Sequence, residues 1–196
     1  SKVKADKGKN MRWTCFAKFY HQLRYSLSKL TSIRMKKIFI LFLLFPPFFN
    51  QAQTVKDYLE RGVNGIREQD YYQAIDDCTK AIEIDPNYAD AYLFRGYAKR
   101  KLEDNYGAIA DYTKAIEIDP NYADAYSSRG GTKSDLKDYY GAIADYTKAI
   151  EIDPNYAYAY NNRGIAKRKL EDYYGAIADY TKAIEIDPNY AYAYHN

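Results

Sequence analysis

Charged pairs at a fixed spacing are the strongest chemical pattern in this chain. Arg61, Arg95, Arg129 and Arg163 are each followed 16 residues later by an aspartate, Asp77, Asp111, Asp145 and Asp179. Guanidinium and carboxylate meet as a two-point hydrogen-bonded pair. The spacing therefore predicts one structural ion pair per repeating unit, not a reacting pair. Reactive groups are scarce. The histidines, His21 and His195, stand near opposite ends, and the cysteines, Cys15 and Cys78, are far apart. Neither type gives metal-ligand spacing. No Gly-rich phosphate loop or nucleophile elbow occurs. Recurrent Asp and Glu read as solvated faces and helix caps. The expectation is a protein that is not an enzyme and needs no cofactor or metal.

The elements that position the pairs repeat. Pro86, Pro120, Pro154 and Pro188 are 34 residues apart, as are Tyr88, Tyr122, Tyr156 and Tyr190. Counting from residue 55, the units are 55–88, 89–122, 123–156 and 157–190, with a fifth beginning at Ala191. Each unit reads as helix, turn, helix. In the second unit the first helix is expected over about Ala89–Leu102, with Asn87 as N-cap and Asp90 completing a capping box. Asp104 caps a second helix over about Tyr106–Ile118, which Asp119 and Pro120 end.

Ahead of the repeats the composition changes. Residues 1–37 carry 11 Lys/Arg against one Asp, whereas the rest carry 18 basic and 25 acidic residues. The acidic body makes nucleic acid an unfavourable partner. Met35-Lys36-Lys37 precedes an uncharged apolar run, Ile38–Phe49, of 12 residues. That layout, over 35–52, is expected to be a secretory signal peptide with cleavage after Ala52, leaving no stable membrane span and a periplasmic or secreted product. The other readings are an uncleaved anchor or an apolar segment packed on the repeats, with a cytoplasmic product if the leader does not function. The basic stretch 1–34 precedes a better start at Met35 and is read as upstream sequence rather than as a functional arm.

Small residues recur inside the repeats. Position 8 is Gly62, Gly96, Gly130 and Gly164; position 20 is Ala74, Ala108, Ala142 and Ala176; position 27 is Ala81, Ala115, Ala149 and Ala183. Tyr58, Tyr92, Tyr126 and Tyr160 fill position 4. This set, with the proline series, resembles the tetratricopeptide repeat over about 70% of the chain. The resemblance implies an all-α, right-handed α-solenoid of stacked helix-turn-helix repeats that binds a protein or peptide in a concave groove. Tyr rather than Trp at position 4, Arg rather than Leu at position 7, and Gly65, Lys99, Lys133 and Lys167 at position 11 depart from the family pattern. Cys78, where the other units have Tyr112, Tyr146 and Tyr180, reads as a small core side chain.

The repeats can be compared with one another. Residues 107–122, 141–156 and 175–190 are identical, and differences gather in the first helix at positions 2, 5, 6, 9, 12 and 13. Steps of three and four place these on one helix face. In the resembling family that face lines the groove. The candidate peptide-binding residues are Asp90, Leu93, Phe94, Tyr97 and Arg100, then Ser127, Ser128 and Asp135, then Tyr158, Asn161, Asn162, Ile165 and Arg168. Neutral drift after duplication is the competing reading, but Thr113, Lys114 and Glu117, expected to be exposed on the second helix, do not vary.

The first functional expectation is thus a scaffold that grips one partner protein. The alternatives are self-association of an envelope component through an uncapped C-terminal end, and a fragment of an enzyme whose catalytic domain lies elsewhere.

Overall fold

A computed structural model describes the protein over residues 46–189, with side chains from residue 55 onward. Helices α1 (Pro46–Arg67), α2 (Tyr71–Ile84), α3 (Ala89–Lys101), α4 (Asn105–Ile118), α5 (Ala123–Asp135), α6 (Tyr139–Ile152), α7 (Ala157–Lys169) and α8 (Tyr173–Ile186) follow in order, with no strand among the described residues. The chain divides into two compact units, 1–50 and 51–196. All packing below is within the second; of the first, only the opening turn of α1 is described. The basic stretch 1–34, the apolar run up to Phe45, His195 and the start of a fifth repeat lie outside the described residues. α1 begins at Pro46 and Pro47. Proline is tolerated in a first turn, where its missing N–H has no intrahelical partner. Among the described residues no helix is long and apolar enough to cross a membrane.

Local chemistry sets the boundaries. Asp70, Asp104, Asp138 and Asp172 each precede a second helix and accept the N–H three residues on, at 3.0, 2.9, 2.9 and 2.9 Å. Asp85, Asp119, Asp153 and Asp187 end those helices in extended backbone, and each carboxylate accepts the N–H of the asparagine after the proline. That use of the turn displaces the expected first-helix cap. Tyr88, Tyr122 and Tyr156, not the asparagines, occupy the N-cap positions, with no side-chain cap bond. Each first helix exits through a left-handed residue, Gln69, Glu103, Lys137 or Glu171, at φ 61 to 65°.

The small residues act at two kinds of crossing. Within a pair, a Cβ added to Gly96 would lie 2.8 Å from Tyr112 Cε1 and 3.2 Å from the Ala108 carbonyl oxygen, so nothing larger fits. In the first pair the same approach is made by Gly62 over the buried Cys78 thiol, a core side chain as expected. Between pairs, Ala115 joins Ala125 of the next first helix in one buried cluster with Tyr92, Leu93 and Tyr112. Each second helix thus packs on its own first helix and on the following one, and successive first helices α3, α5 and α7 also touch. The result is an all-α solenoid of stacked helix pairs, and its core is built largely from alanine and tyrosine.

Candidate functional site

Each first helix has a packed side and an open side, and the packed side is polar as well as apolar. Arg95 Nε and Nη2 donate to the two oxygens of Asp111 at 2.9 and 2.7 Å. Arg129–Asp145 and Arg163–Asp179 repeat this fork at the same distances, and Arg61 pairs with Asp77. The 16-residue spacing therefore produced the expected bridges. Two further contacts were not legible in it. Lys99, Lys133 and Lys167, one turn beyond the arginines, each place Nζ 2.8 Å from the same aspartate. The remaining arginine nitrogen, Nη1, crosses to the previous repeat: Arg95 to Thr79, Arg129 to Thr113 and Arg163 to Thr147, at 3.2, 3.0 and 3.1 Å. Thr113 was expected to be exposed; it is half-buried and committed to this seam. The guanidinium of Arg95 also lies 5.4 Å from the Tyr92 ring centroid, with the same stacking in the other repeats. Arginine at position 7 and lysine at position 11 thus form a charged seam where the family places apolar and aromatic groups.

The variable positions fall into three groups. Leu93, Ser127 and Asn161, all at position 5, are buried, so their side chains are part of the packing and do not stand free on the open face. Asp90 is held at the helix N-terminal edge, where its carboxylate accepts the Tyr122 hydroxyl at 2.5 Å; Asp124 and Tyr156 repeat this at 2.6 Å. In the fourth repeat Tyr158 replaces that aspartate, and its ring lies 6.1 Å from Tyr156. Arg100 leaves its own repeat, passes over Gly131 and bonds Asp135 through Nε at 2.8 Å and Nη2 at 2.7 Å. A Cβ added to Gly131 would come within 3.2 Å of the Arg100 guanidinium. Asp135 in the third repeat is thus the acidic partner of Arg100 in the second, a pairing that fits the charge reversal from Lys101 to Asp135 at position 13. Burial opposes the charge on Arg100, but its hydrogen bonds to Asp135 outweigh this and raise its pKa.

The third group remains open. Phe94, Tyr97, Ser128, Asn162 and Ile165 are half-buried, and Tyr158 and Arg168 are exposed. Lys101 Nζ stands 5.3 Å from the Tyr97 ring centroid, and the Asn162 amide donates to the Tyr158 carbonyl at 2.9 Å. Burial pushes the Tyr112 and Tyr146 hydroxyls well above the usual phenol range, while the positive charge of Arg100 acts against it. The face therefore offers aromatic and apolar side chains beside amide, hydroxyl and guanidinium groups, fixed by the Arg100–Asp135 brace. No cluster of His, Cys, Asp and Glu able to hold a metal occurs among the described residues.

Comparison with known proteins agrees with this architecture. Family profiles described as tetratricopeptide repeat match residues 58–88 and 157–190, and one described as TPR repeat matches 96–132 and 135–170. No individual curated protein sequence gives a match. Among solved structures the chain is similar to MamA, with 26% identity, a TM-score of 0.65, and coverage of 73% of this chain and 78% of that one. It is similar to YrrB, described as a TPR protein with an unusual peptide-binding site, at 25% identity and a TM-score of 0.64, covering 72% and 73%. It is also similar to the first TPR of Spaghetti (RPAP3) bound to an HSP90 peptide, SRMEEVD, at 28% identity and a TM-score of 0.59, covering 61% and 94%.

Proposed function

The chain belongs to the tetratricopeptide-repeat family, and on that premise we propose that it holds an extended segment or helix of a partner protein on the open face of α3, α5 and α7. It is a protein-interaction scaffold. The observation that carries the groove reading is the division of the first helices: the packed side repeats its charged seam, while Phe94, Tyr97, Tyr158, Asn162, Ile165 and Arg168 differ between repeats and stay open. Aromatic and arginine side chains on a rigid backbone are the usual anchors of a protein interface. Two of the similar structures are described as peptide-binding or peptide-bound, which supports the same use here. The partner segment carries an apolar anchor for Phe94 and Tyr97 and polar or acidic groups for Asn162 and Arg168. Met35-Lys36-Lys37 and the apolar run after it support an encounter outside the cytoplasm, where a secretory signal peptide would deliver the chain.

Pull-down from envelope extract with the full chain, against a Phe94→Ala/Tyr97→Ala variant, tests this reading. A partner recovered by the parent and lost by the variant is expected. Equal recovery of every partner by both forms would sink it. A second reading is self-association of the chain. Light scattering behind size-exclusion chromatography separates the two, since only self-association gives a mass that rises with concentration.

A further inference from the structure

The first helix pair departs from the other three in its charged seam. At position 11 it carries Gly65 where the others have Lys99, Lys133 and Lys167. At position 14 it carries Glu68 where they have Leu102, Leu136 and Leu170, and at position 19 Gln73 where they have Gly107, Gly141 and Gly175. In the second, third and fourth pairs the seam aspartate accepts two nitrogens of its arginine and, at 2.8 Å, the lysine ammonium. Asp77, whose side chain is 1% exposed, accepts instead from Arg61 and, at 2.8 Å, from the Gln73 amide. That amide comes from α2 and carries no charge. Among the described residues no lysine joins Asp77.

Gly65 and Asp77 line a cavity of about 220 Å³ between the end of α1 and the start of α2, with Glu68, Asp70 and Gln73 in its wall. A side chain at position 11 starts here: a Cβ added to Gly65 would lie 3.1 Å from the Asp70 carbonyl oxygen. A carboxylate has about four acceptor sites, so Asp77 can take a further donor. Relative to the other pairs, these lining positions have one cation fewer, at Gly65, and one anion more, at Glu68. The neighbouring cations are themselves bound, Arg61 to Asp77 and Arg67 to the Asn64 side-chain oxygen at 3.2 Å. Arg61 does not exclude an ammonium, because arginine and lysine share the aspartate in every other pair. An anion would face three carboxylates, and no cluster able to hold a metal occurs among the described residues. The volume lies below the about 300–1,000 Å³ of a drug-sized ligand's site, so it suits one short chain. We propose that this cavity binds one primary ammonium group on an alkyl chain, which makes to Asp77 the contact that lysine makes in the other three pairs. The group comes from a partner's lysine side chain or from a free short amine. The site uses none of the residues of the open face, so it stands apart from the peptide-binding reading.

Saturation-transfer difference NMR of the full chain with n-butylammonium chloride, at fixed ionic strength, tests the site. Saturation of the butyl signals is expected. Tetramethylammonium, which has no N–H to donate, should not displace the ligand. Gly65→Lys/Gln73→Gly rebuilds the arrangement of the other three pairs and supplies its own ammonium. It should abolish the signal, with an unchanged circular-dichroism spectrum. Glu68→Leu alters an exposed residue to the one the other pairs carry, and it should weaken binding about 2- to 5-fold, the worth of one exposed ion pair. That variant keeps the test open should the double variant not fold. The Phe94→Ala/Tyr97→Ala variant should bind n-butylammonium like the parent. Competition by Nα-acetyl-lysine methylamide and by putrescine tells the sources apart: the tighter competitor assigns the site to a partner's lysine or to a free amine, and either result supports it. Absence of saturation transfer in the parent, equal displacement by tetramethylammonium, or an undiminished signal in the folded double variant or in Glu68→Leu would each overturn the proposal.

Discussion

Arg129 reaches back across a repeat boundary to Thr113, at 3.0 Å, with the one guanidinium nitrogen that Asp145 leaves free. A single side chain therefore closes its own helix pair and fastens it to the previous one. The aspartate it grips is 6% exposed and also receives Lys133, so the buried carboxylate is satisfied from two sides. Ion pairs of this kind add less to stability than their number suggests, because both partners are desolvated. What the seam contributes is register: the fork fits only one arrangement of the two helices and only one neighbour.

Breaking the seam from its neutral end is expected to be mild. Thr113→Val keeps the volume and removes the acceptor, at a cost of about 1 kcal/mol. Asp145→Ala leaves Arg129 and Lys133 facing a void and should cost about 3–5 kcal/mol. Urea unfolding of the two variants and their double mutant checks the order, and full additivity would show that Thr113 and Asp145 do not act through the same arginine.

Glycine has two different meanings in these repeats. Gly96→Ala drives a methyl into Tyr112 and the Ala108 carbonyl and should destabilise by about 1–3 kcal/mol. Gly107→Ala meets only the capping carboxylate of Asp104, which can swing aside. Gln73 holds the equivalent place in the first repeat, and Asp70 still caps it at 3.0 Å. That substitution should stabilise, by up to about 1 kcal/mol from helix propensity. Thermal melts that rank the two variants the other way would contradict the assigned contacts.

The left-handed exits offer stabilisation. Glu103 sits at φ 64°, a conformation that costs an L-residue about 1–2 kcal/mol and glycine very little. Part of that gain is offset by the greater freedom of glycine in the unfolded chain, so Glu103→Gly should raise stability by about 1 kcal/mol or less. Lys137→Gly is the matched test in the next repeat, read by the shift of the urea midpoint.

Alkali should unfold the protein in a defined window. Burial raises the Cys78 thiol from 9.0 to about 12. Above pH 9 the unfolded chain releases this proton and the folded one keeps it, so the unfolded state binds fewer protons and stability falls as pH rises toward 12. Burial of Tyr112 and Tyr146 adds to the loss above pH 10. The melting temperature should be flat from pH 7 to 8.5 and then decline. Cys78→Ala should lower the plateau but flatten the decline between pH 9 and 10; an unchanged slope would remove the thiol from the explanation.

The amino-acid sequence by itself determined the period, the helix pairs and the Arg–Asp bridges. These depend on short-range rules: proline and aspartate end helices, small residues mark close crossings, and complementary charges at a constant offset meet whenever the same turn is repeated. It also marked which first-helix positions differ between repeats, but not which of them are open. Tertiary structure alone decided which variable residues are open. Position 5 turns inward, so Leu93, Ser127 and Asn161 are buried, while Asp90 is taken by Tyr122 at the end of its own repeat and Arg100 and Thr113 by partners in the next repeat. Periodicity within one helix cannot carry that information. The angle at which one repeat stacks on the next sets which positions meet, and that angle is fixed by the combined packing of Ala115, Ala125 and their neighbours, not by any one residue's spacing.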